Sequence, residues 1–326
     1  MKENLRTQRD ETSGERRRAT KRRVAAGLAL VVLGTPLFFV GAAAVRFRHR
    51  PYAPPAGEAP GPAGKLTLTY QGITGYELTD GKTTILLDPS VTRPTVLGLF
   101  SGRLKPDEAL AAKVFPRADF ILIDHAHYDH AADAPAIALR TGATIVGSRS
   151  ACNLALSRGV PASRVREAVP GTRMKLGSFT VDVRASRHVH LLGVAGVMVG
   201  TIRPDAGPLW FWQYAQDAAL AYRLESSGSS VWFHPTSTFR AGEIGDLPAG
   251  TLIMGTNGEP LTTEKMRLVL AEARPKLVLP THWDNLFQPL EKGPALMPGL
   301  DLEAARATAG STPWLVLGYG RTIALP

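Results

Sequence analysis

Apolar and polar residues alternate along Leu66-Thr-Leu-Thr-Tyr70, and Gly75-Tyr-Glu-Leu78 and Thr83-Thr-Ile-Leu-Leu87 follow with Asp80-Gly81 between them. A period of two marks strands and Asp-Gly marks a hairpin turn, so the pattern predicts that a sheet starts here. The apolar run from Ala118 to Ile123 predicts a buried strand, with a helix from Ala131 onward. Helix and strand patterns then alternate: Asp133 to Arg140 reads as helix, Ala143 to Gly147 as strand, Ser148 to Gly159 as helix and Ser178 to Ala185 as strand. The rhythm returns in a helix over Thr263 to Ala273, a strand over Leu277 to Pro280, a helix over Leu302 to Ala309 and an extended Trp314 to Leu317. With no internal repeat, residues 65–326 are expected to form one α/β domain.

Two segments stand outside this rhythm. Val96-Leu-Gly-Leu-Phe100 is expected to be a loop after the strand that ends at Asp88. Trp210, Trp212 and Tyr214 alternate as one strand face would, which predicts a packed sheet face, with a lipid-binding lip as the other reading.

The N-terminus carries a different pattern. Val24 to Val45 is 22 residues without a charge, enough at the helical rise to cross the hydrocarbon core of a bilayer. Nine Lys and Arg residues precede it and three follow closely, which places residues 1–23 in the cytoplasm and the remainder outside. A single-pass anchor is expected; the alternative is secretion after cleavage near Ala42-Ala43-Ala44. Residues 46–64, rich in Pro and Gly, are expected to be a spacer.

Composition then narrows the function. The chain has 326 residues, 44% hydrophobic and 20% charged, as a globular protein does. Of its net charge of +10, residues 1–50 supply +8 through twelve Lys/Arg and four Asp/Glu. The rest is close to neutral, so no nucleic-acid partner is expected. Cys152 is the only cysteine, which excludes an intramolecular disulfide and a cysteine-based metal site; its place in a predicted helix suggests a small buried hydrophobe.

The chemistry lies in Ile123-Asp-His-Ala-His-Tyr-Asp-His130. Imidazole lone pairs and a carboxylate suit zinc or a similar divalent ion, so His125, His127, Asp129 and His130 are candidate ligands at a strand-to-helix junction. A loop alone rarely completes such a site. Four further histidines lie in the domain: His188, His190, His234 and His282. His188 and His282 each follow a predicted strand, and His190 shares a strand face with His188 and competes with it. Asp88, Asp124 and Asp284 are candidates to receive ring N–H groups, with an exposed turn the expected place of Asp284.

His125-Ala-His127-Tyr-Asp129-His130, preceded by Leu-Leu-Asp88-Pro89 and followed by Ala185-Ser-Arg-His188 and Leu-Pro-Thr-His282-Trp, resembles the metallo-β-lactamase superfamily over about residues 65–326. Within it the chain is most similar to the branch containing N-acyl phosphatidylethanolamine phospholipase D and related bacterial hydrolases. The resemblance implies a four-layer αββα sandwich. It also implies His125, His127 and His188 around one ion, and Asp129, His130 and His282 around a second. Where many members carry a bridging Asp, Val231-Trp-Phe-His234-Pro-Thr236 puts Thr236 at that position, with His234 a substitute ligand. One or two zinc ions are therefore expected.

Such a site activates water to hydroxide near neutral pH, so the expected enzyme is a membrane-anchored hydrolase of an ester, amide or phosphodiester. Asp129 would orient the nucleophile, and the substrate is a small molecule or a lipid. The alternative is a non-catalytic or single-metal binding module that keeps the fold.

Overall fold

The computed structural model describes residues 50–54, 66–188, 198–259 and 261–326. The apolar run 24–45 and His190 lie outside the described residues; among those described, no helix is long and apolar enough to cross a membrane.

A short β1 (Arg50–Pro51) precedes an antiparallel meander of β2 (Thr67–Gly72), β3 (Gly75–Thr79) and β4 (Thr84–Leu87). Three parallel strands extend it from β4: β5 (Phe120–Leu122), β6 (Thr144–Gly147) and β7 (Val165–Glu167). Between them run α1 (Val96–Ser101), α2 (Glu108–Val114), α3 (Tyr128–Ala131), α4 (Ala134–Thr141) and α5 (Arg149–Ser157). A second sheet holds β8 (Arg173–Leu176), β9 (Phe179–Ser186), β10 (Ala219–Ser226), β11 (Ser229–His234), β12 (Thr251–Gly255) and β13 (Leu277–Thr281) in sequence order. It is antiparallel as far as β11 and parallel from β11 to β13, with α6 (Thr263–Ala273) crossing between β12 and β13. Finally β14 (Ala295–Leu296) pairs with β1, α7 (Leu302–Thr308) follows, and β15 (Thr322–Ala324) rejoins the first sheet beside β2.

The two sheets share one core. Leu68, Tyr70, Tyr76, Leu78 and Leu87 of the first interlock with Val181, Tyr222, Phe233, Ile253 and Leu279 of the second. A separate apolar cluster joins the outer side of the first sheet, through Leu86, Ile121 and Ile145, to Ala111, Ile137 and Leu154 of the helices. A third joins Trp232, Leu252 and Val278 to Met266, Val269 and Ala273 of α6. That stripe is legible in sequence because Met266, Val269 and Ala273 recur at helical spacing, and the Thr262 hydroxyl caps the helix by accepting the Lys265 N–H at 3.1 Å. Strands buried on both faces, such as Thr251-Leu-Ile-Met-Gly255, are continuous rather than alternating for the same reason.

Most predicted elements are present, and four expectations need correction. Val96 to Phe100 is helix rather than loop, because the Thr95 hydroxyl accepts the Gly98 N–H at 3.1 Å and starts a turn. Trp210 to Tyr214 is not a strand face: Phe211–Gln213 is a 3₁₀ turn that stacks Trp210 on Trp212 at 4.8 Å and buries Tyr214. Trp314 joins β13 through a single bridge to Val278, so Trp314 to Leu317 makes no strand. The helix expected from Ala131 starts at Tyr128. Cys152 is buried as expected; burial pushes its thiol up to about 12, and Sγ points at the Gly147 carbonyl at 3.6 Å.

Away from the strand ends that carry the histidines, Asp80 ties the sheets together. Its carboxylate accepts the Ser226 hydroxyl of β10 at 2.6 Å and the Lys82 and Thr83 amides at 3.0 and 2.9 Å. Partial burial would raise this carboxyl, but the hydrogen bonds outweigh it and hold the group well below the ordinary range. A depressed folded-state pKa means stability that is present above the ordinary carboxylate range and lost as pH falls through the folded value. Asp80→Asn is therefore expected to cost about 1 kcal/mol at neutral pH, with the gap to wild type closing in acid. Denaturant melts at about pH 7 and about pH 2 check this; a pH-independent gap would show that the charge does not matter.

Candidate metal centre

The C-terminal ends of β4, β5, β9, β11, β12 and β13 meet at one edge of the paired sheets, the edge at which open α/β sheets place ligands. Asp88 follows β4 directly, Asp124 to His127 follow β5, and Asp129 and His130 lie in the single turn of α3. His188 lies two residues beyond β9, and His282 leaves β13 immediately. Turning sharply off a strand takes unusual backbone. Of the six described non-glycine residues with positive φ, Ile73, Asp88, Met198 and His282 all lie around this edge.

These residues converge in a pocket of about 190 Å³. One ligand atom each from His125, His127 and His188 falls within 4.8 Å of the others, and the same holds for Asp129, His130 and His282. His125 Nε2 stands 3.0 Å from His127 Nδ1, and the His188 ring is 4.7 and 4.4 Å from the rings of His125 and His127. Asp129 Oδ2 lies 3.3 Å from His282 Nε2 and 3.8 Å from His130 Nε2. His125, His127 and His130 are almost fully buried.

Behind the imidazoles stand carboxylates. Asp124 Oδ2 is 2.9 Å from His125 Nδ1, and Asp88 Oδ2 is 2.7 Å from His130 Nδ1. Each acid is itself held: Asp124 accepts the Leu220 N–H at 2.8 Å, and Asp88 Oδ1 accepts the Asp124 N–H at 2.7 Å. A ring N–H given to such an acceptor turns the other nitrogen's lone pair into the pocket.

The electrostatics favour a cation. Burial and the neighbouring imidazoles hold His125 well below the usual histidine range, so it is neutral and can donate a lone pair. Burial also opposes charge on His130, but Asp129 and Asp88 overcome it and raise this group to about 9. Burial would raise Asp129; His130 and His282 reverse that and keep it ionised. A neutral His125, an ionised Asp129 and ring nitrogens oriented by carboxylates suit a divalent ion, which would have to displace the proton that Asp129 and Asp88 hold on His130 near neutral pH.

The remaining candidates separate. Thr236 lines the pocket, with its hydroxyl 3.3 Å from Ser186 Oγ and 3.5 Å from the Thr238 carbonyl. His234 is not part of either ligand group. Its Nε2 faces Ser186 Oγ at 3.3 Å and Glu243 Oε2 at 3.4 Å, and its Nδ1 faces the Thr236 carbonyl at 3.2 Å, so it braces the chain that carries Thr236. Gly255 allows that chain in, because a Cβ there would overlap the Pro235 carbonyl. Asp284 is not an exposed carboxylate but fully buried, and it receives no ring N–H from a ligand histidine; its partners are Tyr70, Tyr319, Arg93 and the Ile73 amide. Sequence reasoning passed over Thr74, whose Oγ1 is 3.2 Å from His130 Nδ1, and Asn257, whose Nδ2 is 3.5 Å from His282 Nδ1. The one signal for Asn257 is its place just past the apolar strand Thr251–Gly255.

Residues 83–283 match the family model described as a beta-lactamase superfamily domain. The chain belongs to the metallo-β-lactamase superfamily. Among its superfamily relatives, a UPF0173 metal-dependent hydrolase of Anaeromyxobacter sp. (strain K) is 25% identical over 271 residues, covering 80% of this chain and 87% of its own. A second, from Carboxydothermus hydrogenoformans, is 30% identical over 225 residues, covering 68% and 85%. A metallo hydrolase of the archaeon Ignicoccus hospitalis shares the fold with a TM-score of 0.52 at 18% identity, over 79% of this chain and 97% of its own. None of the three names specifies a phospholipase.

Asp88→Asn is expected to lower the affinity of the purified protein for zinc by about 10–100-fold, read by competition with a chromophoric chelator. Unchanged affinity would mean that His130 needs no carboxylate behind it.

Proposed function

We propose that this chain is a membrane-tethered, metal-dependent hydrolase that cleaves an ester, amide or phosphodiester outside the cytoplasm. The observation that carries this reading is the meeting of His125, His127 and His188 with Asp129, His130 and His282 in one buried pocket. The names of both relatives, metal-dependent hydrolase, support the reaction class.

His125, His127 and His188 would hold one ion, and Asp129, His130 and His282 a second, with zinc the expected metal. When bound, the metal supplies Lewis acidity and activates water at neutral pH. The protein does the rest. Asp88 and Asp124 fix ring orientation, and Asp129 keeps its charge and orients the nucleophile. Thr236 offers only a hydroxyl and Asp129 is the single carboxylate lining the pocket among the described residues, so a second ion would be held without a bridging acid from them.

An apolar lip supports a substrate with a hydrophobic portion, a lipid among them. Tyr128 lines the pocket and lies 6.3 Å from Phe211, which meets Phe100 and Trp212 edge-on at 5.1 Å each; Leu97, Phe100 and Trp212 are exposed. The tether rests on the charge-free run 24–45 and the basic residues before it, followed by the spacer 46–64 and the hydrolase domain 65–326.

Purified protein is expected to carry one or two zinc ions and to turn over at least one ester, amide or phosphodiester reporter, with turnover abolished by chelator and by His127→Ala. Metal analysis alongside the reporter screen checks this. Activity that survives metal removal would refute the reading, and bound metal without turnover would favour a binding module. Protease added to intact cells is expected to digest the domain and spare residues 1–23; a protected domain would refute the orientation.

A further inference from the structure

The most heavily bonded carboxylate near the pocket does not line it. Asp284 Oδ1 accepts the Tyr70 hydroxyl at 2.6 Å and the Ile73 N–H at 2.8 Å. Its Oδ2 accepts the Tyr319 hydroxyl at 2.6 Å and lies 3.0 Å from Arg93 Nη2, while Arg93 Nη1 donates to the Tyr319 hydroxyl at 2.7 Å. Both charges are almost wholly buried, an arrangement that adds little stability over apolar packing. Gly72 makes it possible: at φ 103° it has a conformation that favours glycine, and a Cβ there would overlap the Arg93 guanidinium.

What the network holds is the turn between β2 and β3. Ile73 is β-branched yet sits at φ 55°, a conformation that persists only where its surroundings enforce it. Its N–H is fixed by Asp284, and its carbonyl accepts the His282 N–H at 2.6 Å and the Thr281 hydroxyl at 2.8 Å. His282 in turn leaves β13 at φ 57°. The next residue, Thr74, puts its hydroxyl 3.2 Å from His130 Nδ1. One short turn thus contacts two members of the Asp129, His130 and His282 group, and none of these contacts involves His125, His127 or His188.

We propose that Asp284, braced by Arg93 and Tyr319, is a positioning residue that aims His282 and His130 through Ile73 and Thr74 and so sets the affinity of the second ion selectively. This rests on the reading of the pocket as a two-ion centre. It gives the buried pair a job that stability alone does not explain.

The test is zinc titration of the metal-free full chain, followed by calorimetry and chelator competition, with cobalt(II) absorption as a reporter of geometry. Asp284→Asn keeps the size of the side chain but presents an amide to Arg93 or Tyr319. It is expected to weaken the second ion by about 10–100-fold, to alter the second cobalt spectrum and to leave the first ion unchanged. Loss at both sites alike, or at neither, overturns the proposal. Should Asp284→Asn not fold, Tyr319→Phe decides by the same readout, because Tyr319 lies outside the pocket; second-ion affinity equal to wild type then overturns it. Wild type that takes no second ion refutes the two-ion reading itself and this proposal with it, whereas a two-ion wild type with an unaffected variant refutes only the role of Asp284.

Discussion

The pocket depends on the two hydrogen bonds that Asp88 accepts, one from the Asp124 amide and one from the ring of His130. The first locks the end of β4 to the end of β5. The second reaches across the cluster to His130, which has Asp88 at 2.7 Å on one side and Asp129 at 3.8 Å on the other. A carboxylate buried this deeply is costly unless every oxygen is occupied, and both oxygens of Asp88 are. The cluster is therefore an interior structure that opens to one side, rather than a decorated surface loop.

How much of this was legible from sequence depended on how local the information is. His125, His127, Asp129 and His130 announce themselves because four donors within six residues cannot avoid sharing a strand-to-helix junction. His188 and His282 were readable because each follows an apolar strand, and strands of one sheet bring their ends together. Asp88 and Asp124, too, sit at strand ends and do what their positions suggest. His234 also ends a strand, yet its ring turns toward Ser186 and Glu243, because a strand's last residue can face either side of the sheet and its period alone does not say which.

Asp284 is the clearest case of information that the sequence does not display. Its partners stand at Tyr70, Ile73, Arg93 and Tyr319, separated from it by up to 214 positions, and nothing in Trp283-Asp-Asn285 distinguishes it from a solvated turn. The aromatic run failed for the opposite reason. Trp210, Trp212 and Tyr214 do alternate, but a 3₁₀ turn over Phe211–Gln213 also brings Trp210 onto Trp212, so alternation over so short a run does not distinguish turn from strand. Val96 to Phe100 was hidden by Gly98, an unfavourable helix residue whose amide is nevertheless the one that Thr95 caps.

The strand β3 is pinned at both ends. Beside its start, the Ile73 carbonyl of the first sheet holds the His282 amide after the second, and past its other end Asp80 holds Ser226. The five residues of β3 itself, a length of roughly 17 Å, lie between these clasps. Two sheets clasped on either side of β3, with a packed core between them, have little freedom to part like the covers of a book. The parts of the pocket lining that these clasps leave to irregular backbone include Met198, Gly258 and Leu286.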